Sequence, residues 1–412
     1  MANRFACGNF RELLVSQVDF DQLISLENTH AVKLEAREAV FGRADVLPVW
    51  VADMDFAAPQ AVTDALSERA RHPVYGYTIF PDSLYSSMAD WFRQRHQWSI
   101  QREWVLMAPG VVPSLHAACM ACTNPGDEVI IQPPVYPPFF SSVRQTGRQV
   151  LENPLLAEKQ QDGSLYYRMN LAHLEQCAAR PQAKMLVLCS PHNPIGRVWS
   201  EAELTAVLDI CRRHKLVLLS DEIHCDLVFS DSHRHRMLAA LARPDDQLIT
   251  AIAPSKTFNI PGLGLSAMVI ADSGLRQKMA NVLESFHMPQ SNPFSVTGFE
   301  AGYRHGGPWL DELMVYLQAN RDLVVSQVAQ RLPGIEVTAP EGTYLMWLDC
   351  RALGLDDTGL KRFFVQQAGV GMNPGMSFGD NGSGFMRLNI GCPRATLEQV
   401  IERIQAALSA RQ

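Results

Sequence analysis

Lys256 sits in "APSKTF" (253–258), at the close of the apolar run "QLITAIA" (247–253). A lysine just past a buried strand is badly placed for solvent display. Desolvation lowers its proton affinity and makes it a usable nucleophile toward an aldehyde. A second stretch, "VLLSDEIHCDLVF" (217–229), places Asp221, Glu222, His224 and Asp226 directly after an apolar run. Asp221 stands about thirty-five positions before Lys256, at the end of the preceding strand pattern. Adjacent strands lie about 4.8 Å apart, so one flat ring could touch both groups. A pyridine ring suits that pair, with an aldehyde carbon on the lysine and the ring nitrogen on the aspartate. An ionised carboxylate keeps that nitrogen protonated and turns the ring into an electron sink for a carbanion at an amino-acid Cα.

The elements that must carry these groups are visible as hydrophobic patterning. Short β-rich runs occur at "EVIIQ" (128–132), "KMLVLCS" (184–190), "KLVLLSD" (215–221), "QLITAIA" (247–253) and "LSAMVIA" (265–271). Between the second and third lies "SEAELTAVLDICRRHK" (200–215), where Ser200 and Glu203 form a capping box and Leu204, Val207, Leu208 and Cys211 an apolar stripe. Continuously apolar strands separated by helices predict an α/β fold with a mostly parallel central sheet covered by helices on both faces. Ligands of such sheets bind at the carboxyl ends of the strands. "SPHNPIG" (190–196), the Asp221–His224 cluster and "APSKTFNIPGLG" (253–264) all follow strands and form one rim.

The last third differs. "PWLDELMVYLQANRDLVVSQVAQRL" (308–332) predicts one long helix ended by Pro333-Gly334. Strand patterns at "GTYLMWLDC" (342–350) and "GFMRLNIGC" (384–392) precede a final helix at about 395–409. The expected division is residues 1–55 contributing to a small domain, 56–295 as the large α/β domain, and 296–412 as the small α+β domain.

Bulk properties narrow the function. The 412 residues carry a net charge of −7, which offers no general attraction to nucleic acid or anionic membrane. No apolar run reaches transmembrane length, and "MANRFACGNFRELL" lacks a secretory apolar segment. Nine cysteines, including Cys189, Cys211 and Cys350 inside apolar runs, read as reduced small hydrophobes of a cytoplasmic protein. Cys119-x-x-Cys122 has no second pair to complete a four-thiolate site, and no metal site is expected. His233 and His235 in "SHRHR" (232–236) read as a solvated loop. No G-x-G-x-x-G follows the first strand, which removes a nicotinamide-dependent oxidoreductase.

"SPHNPIGRVW", "SDEIHCDLVF", "APSKTFNIPGL" and "GFMRLNIGCPR" together resemble the fold-type I pyridoxal-phosphate enzymes, the aspartate aminotransferase superfamily. More closely they resemble its cystathionine β-lyase branch, the MalY/PatB family. The likeness runs from "FDQLI" (20–24) and "LPVWVADMDFAAP" (47–59) to the last helix. It implies a PLP-dependent transferase-like fold and pyridoxal 5′-phosphate bonded to Lys256 through its aldehyde carbon, with Asp221 at the pyridinium nitrogen. It places Asn193 and His224 at the phenolic oxygen and Tyr136 on the ring face. Many relatives carry Tyr where this chain has His224, and the histidine fits the lyase branch.

For the phosphate, "MAPGVVPSLHAAC" (107–119) offers Gly110 for close backbone approach, Pro113 in a first helical turn, and the free N–H groups of Val111 and Val112. Ser255 adds a side-chain donor. Aminotransferases usually place an Arg eight residues after the lysine, where this chain has Gly264, an absence shared by the lyase branch. Arg387 lies within an apolar strand pattern, where an unpaired guanidinium would be costly, and an amino-acid carboxylate fits its fork. The resemblance gives it that role, and makes Tyr77, with Tyr75 as competitor, the residue that crosses from the neighbouring subunit of a homodimer whose site lies at the interface. Asp53 borders the substrate pocket in relatives. Lys33-Leu34-Glu35 stands where they tend to show Lys-Trp-Asp.

The activity so implied is β-elimination of L-cystathionine, or another S-substituted cysteine, to a thiol, pyruvate and ammonia, with Lys256 taking the Cα proton. The rivals are an aminotransferase on the same site and a cofactor-binding regulatory protein with weak lyase activity.

Overall fold

The computed structural model describes residues 18–161, 163–231, 234–288 and 292–411. Its centre is a seven-stranded sheet built from β1 (Val105–Ala108), β2 (Glu128–Ile131), β3 (Gln149–Glu152), β4 (Ala183–Cys189), β5 (Val217–Asp221), β6 (Leu248–Ile252) and β7 (Ser266–Val269), in the order β1-β7-β6-β5-β4-β2-β3. All neighbouring pairs from β3 to β6 are parallel, and β7 alone runs against both of its neighbours. The parallel sheet expected from continuously apolar strands is present. Each strand feeds two cores because successive side chains point to opposite faces. Met185, Val187 and Cys189 of β4 join one buried cluster, while Leu186 and Leu188 join the other.

The helix α1 (Val111–Cys122) follows β1, and α2 (Glu201–His214) follows β4. The Ser200–Glu203 capping box forms in both directions, and the stripe Leu204, Val207, Leu208 and Cys211 is buried. At the carboxyl edge of the sheet, Cys189, Asp221 and Ala251 occupy one register row across β4, β5 and β6. That row sets the depth of everything described below.

The last third forms a second, antiparallel sheet of β8 (Glu336–Thr338), β9 (Leu345–Asp349), β10 (Asn373–Pro374) and β11 (Phe385–Asn389), ordered β8-β9-β11-β10. The long helix α3 (Gly307–Arg331) and the terminal helix α4 (Arg394–Ser409) pack with it in one apolar cluster. Leu47–Pro48 pairs in parallel with Val370–Gly371, which ties the early chain to this part of the molecule. Among the described residues no helix is long and apolar enough to cross a membrane.

Candidate active site

A cavity of about 230 Å³ opens at the carboxyl ends of β4, β5 and β6. It is lined by Lys256, Asp221, His224, Asn193, Tyr136, Gly110, Val111, Val112 and Ser255, nine of the residues singled out in the sequence. Lys256 lies not on the strand but on the single helical turn Pro254–Thr257 that follows β6. Its Nζ donates to the Ala52 carbonyl at 2.5 Å. Burial pulls the ammonium down to about 8, and Asp53 opposes that fall more than any other charge does. An amine with this proton affinity has a substantial neutral fraction near physiological pH.

Asp221 ends β5 and is 5% exposed. Burial raises its carboxyl to about 7; the Ile223 N–H, 3.2 Å away, lowers it, Glu222 raises it and Lys256 lowers it. A buried carboxylate so placed favours any protonated nitrogen brought against it. His224 is also buried, its Nδ1 has no partner among the described residues, and burial first, then Lys256 and Arg387, depress it to about 3. It is a neutral imidazole at physiological pH, with a ring nitrogen free to bond within the site. Tyr136 stands just before the helix Pro137–Gln145, and burial raises its phenol.

The start of α1 faces the same cavity. No side chain caps Gly110, so the first-turn N–H groups are available to an anion. An added Cβ at Gly110 would approach only Pro113 Cδ, at 3.5 Å, so internal packing does not account for the glycine.

Arg387 occupies the middle of β11, opposite Trp347 and Asn373. Its guanidinium donates to Asn193 Oδ1 at 3.1 Å, to the Trp50 carbonyl at 2.8 Å and to Asn373 Oδ1 at 2.8 Å. All three acceptors are neutral, and among the described residues Nε has no partner. Burial lowers the group to about 10, and it is still a cation at neutral pH. A buried cation without a counter-charge is stabilised by an incoming carboxylate. Tyr77, in contrast, is fully exposed and far from lining this cavity in its own chain.

Several polar partners escaped the sequence reading. The irregular segment 50–56 is held at almost every carbonyl: Arg387 binds that of Trp50, Asn389 those of Val51 and Asp53, Tyr344 and Lys256 that of Ala52, and Asn259 those of Met54 and Phe56. Asp226, buried behind the cavity, accepts from Thr257 at 2.8 Å and from Trp91 at 3.0 Å and pairs with His96 at 2.7 Å. The solvated loop expected at His235 is overturned. His235 is 3% exposed and bonds the buried Glu222 at 2.8 Å, so burial of that carboxylate draws the loop inward. His233 lies outside the described residues. Cys119 and Cys122 are unpaired thiols on α1, both pushed up by burial.

The chain can now be set beside known proteins. Residues 45–404 match the family model "Aminotransferase class I and II". The chain is 41% identical to cystathionine beta-lyase PatB of Bacillus subtilis over 95% of its own length and all of that protein. It is 34% identical to protein MalY of Escherichia coli over 95% of this chain and 99% of the other. Among solved structures, cystalysin from Treponema denticola, which contains a pyridoxal 5′-phosphate cofactor, superposes with a TM-score of 0.90 at 33% identity, covering 96% of this chain and all of that one. The sheet, the cavity at its carboxyl edge and these matches agree: the chain belongs to the class I and II aminotransferase family.

Proposed function

We propose that the chain is a pyridoxal-phosphate-dependent carbon–sulfur β-lyase that cleaves L-cystathionine or a related S-substituted cysteine to a thiol, pyruvate and ammonia. The observation that carries this reading is one cavity holding a desolvated lysine and a buried aspartate, with an arginine that lacks a counter-charge beside it. The cystathionine β-lyase name of a relative 41% identical supports the reaction class.

The residues present fit the cofactor: an uncapped helix start for a phosphate, an unpartnered imidazole for the phenolic oxygen, and a carboxylate for the ring nitrogen. When bound, pyridoxal phosphate supplies a ring that accepts electron density from the substrate Cα. The N–H groups of Val111 and Val112, with Ser255, hold the phosphate end. Asp221 keeps a proton on the ring nitrogen, His224 and Asn193 donate toward the phenolic oxygen, and Tyr136 covers one face. Arg387 would take the substrate carboxylate and so orient Cα within the cavity. Lys256 would remove the Cα proton, and the Ala52 carbonyl holds that amine at the cavity wall.

In the proposed division into residues 1–55, 56–295 and 296–412, the pairing of Leu47–Pro48 with Val370–Gly371 supports the first assignment, while the cut at 295/296 falls inside the helix Pro293–His305. A homodimer with a shared site is supported by the exposed run Val74, Tyr75, Tyr77 and Ile79. Tyr75 is held by its own chain, its hydroxyl on the Ala70 carbonyl at 2.8 Å and its ring against Phe294, which leaves Tyr77 as the residue that reaches the partner's cavity. Unpaired cysteines throughout the described residues support a reducing, cytoplasmic setting.

The test incubates purified protein with L-cystathionine, and separately with an amino acid and a 2-oxo acid. Equal amounts of thiol and pyruvate are expected. Exchange of amino groups without thiol would assign the site to transamination, and no turnover in either would leave a regulatory, cofactor-binding role.

A further inference from the structure

The segment from Trp50 to Asp53 touches the cavity at Ala52 and is bonded on either side of that point. Its Trp50 carbonyl is bonded by Arg387 and its Ala52 carbonyl by Lys256. Two residues therefore separate the carboxylate anchor from the reacting amine, and Asp53 is one residue farther along, within about 3–4 Å of backbone length. The backbone here is not free to turn, since Asn389 bonds the carbonyls on either side of Ala52, and Asn259 bonds Met54 at both its N–H and its carbonyl.

Lys33, 2% exposed, donates to the Asp53 carbonyl at 3.0 Å and to Asp55 Oδ1 at 2.6 Å, and pairs as an ion with Asp53 Oδ1 at 2.7 Å. One cation thus serves two carboxyl groups, so the trio holds one acid more than base, and burial raises the Asp55 carboxyl of the pair. Asp55 is the more enclosed of the two, whereas the Asp53 side chain is 32% exposed. Burial works against the Lys33 charge, and the two aspartates outweigh it, so the lysine stays a cation. The Asp53 charge also reaches the reacting amine, where it is the foremost influence holding a proton on Lys256.

We propose that Asp53 is a specificity-determining residue of this site: its carboxylate, held by Lys33, favours amino acids whose side arm carries a cation or a zwitterion and disfavours those whose arm is purely anionic. The inference rests on the proposed lyase reading and refines it. With Arg387 given to the α-carboxylate, the arm beyond Cβ would turn toward Asp53, the residue next to the cavity-lining Ala52. The far end of cystathionine is itself an amino acid with an ammonium group, and it matches such a wall. An arm ending in a lone carboxylate does not.

The test measures binding to the holoenzyme by calorimetry for three amino acids without a leaving group at Cβ: L-2,4-diaminobutyrate, L-norvaline and L-glutamate. Because none can release a thiol, their ranking is independent of whether the protein proves to be a lyase. The cationic ligand is expected to bind most tightly and L-glutamate least. Asp53→Asn should narrow the span between them at least tenfold, and Asp53→Glu should restore it. Equal binding of the cationic and anionic ligands to the wild-type protein would overturn the proposal without any variant. So would an Asp53→Asn protein that weakens all three alike.

Discussion

Replacing Asp221 with asparagine should make the cofactor-free protein more stable while it weakens the hold on the cofactor. Burial lifts the carboxyl from its usual 3.8 to about 7. Between those values the folded protein binds a proton that the unfolded chain has released, so stability falls as pH rises through that window. Below pH 4 both states are protonated and the penalty vanishes. At 1.36 kcal/mol per pH unit the full penalty is about 4 kcal/mol above pH 7. Asparagine keeps the shape and its oxygen can still accept the Ile223 N–H, but it never ionises. For 412 residues the unfolding entropy is about 0.9 kcal/mol/K, so 4 kcal/mol corresponds to a rise in Tm of about 5 °C. Thermal unfolding of cofactor-stripped Asp221→Asn and wild-type protein, at equal concentration, should show that gain at pH 8 and about half of it at pH 5.5. With pyridoxal phosphate added the order should reverse, because the variant lacks the charge that holds the ring nitrogen. A cofactor-free variant less stable than wild type at pH 8, or a gain independent of pH, would refute the reasoning.

Three further outcomes are expected. Arg387→Ala should raise KM for the amino-acid substrate by tenfold or more, from the loss of a charge-assisted bidentate contact, with a smaller change in kcat; steady-state kinetics would show an unchanged KM if the arginine plays no part. The rate at which cofactor-stripped protein captures pyridoxal phosphate should climb with an apparent pKa near 8, since only neutral Lys256 attacks an aldehyde; stopped-flow absorbance would show a flat profile if another group reacts. Mixing Tyr77→Ala with Lys256→Ala protomers, each inactive alone, should restore up to about a quarter of wild-type activity through mixed dimers with one intact site. No recovery after verified exchange would remove Tyr77 from a shared site.

Much of the site was legible because its chemistry sits where apolar strands stop. The runs ending at Cys189, Asp221 and Ile252 announce both the parallel sheet and its carboxyl edge, and nine sequence-chosen residues line the cavity found there. The direction of β7 was not read, although the thirteen residues that link it to β6 hold only two short turns and no helix of the kind that usually carries a parallel crossover. Asn259, Asn389 and the Lys33 trio stayed hidden for another reason. They act on backbone carbonyls of residues 51–56 from more than two hundred positions away, or from a segment with no periodic pattern, and one-dimensional spacing does not record such bonds. His235 was misread because polar composition marks a loop but not the buried carboxylate it turns toward.

The central claim is that Lys256 is the amine bonded to the coenzyme while Asp221 grips the opposite end of the ring. Borohydride reduction of the coloured holoenzyme, followed by proteolysis and mass spectrometry, tests it directly. A phosphopyridoxyl group is expected on the peptide containing Lys256 and on no other lysine, with loss of the visible absorbance. An adduct on Lys33 or on a surface lysine, or none at all, would contradict it.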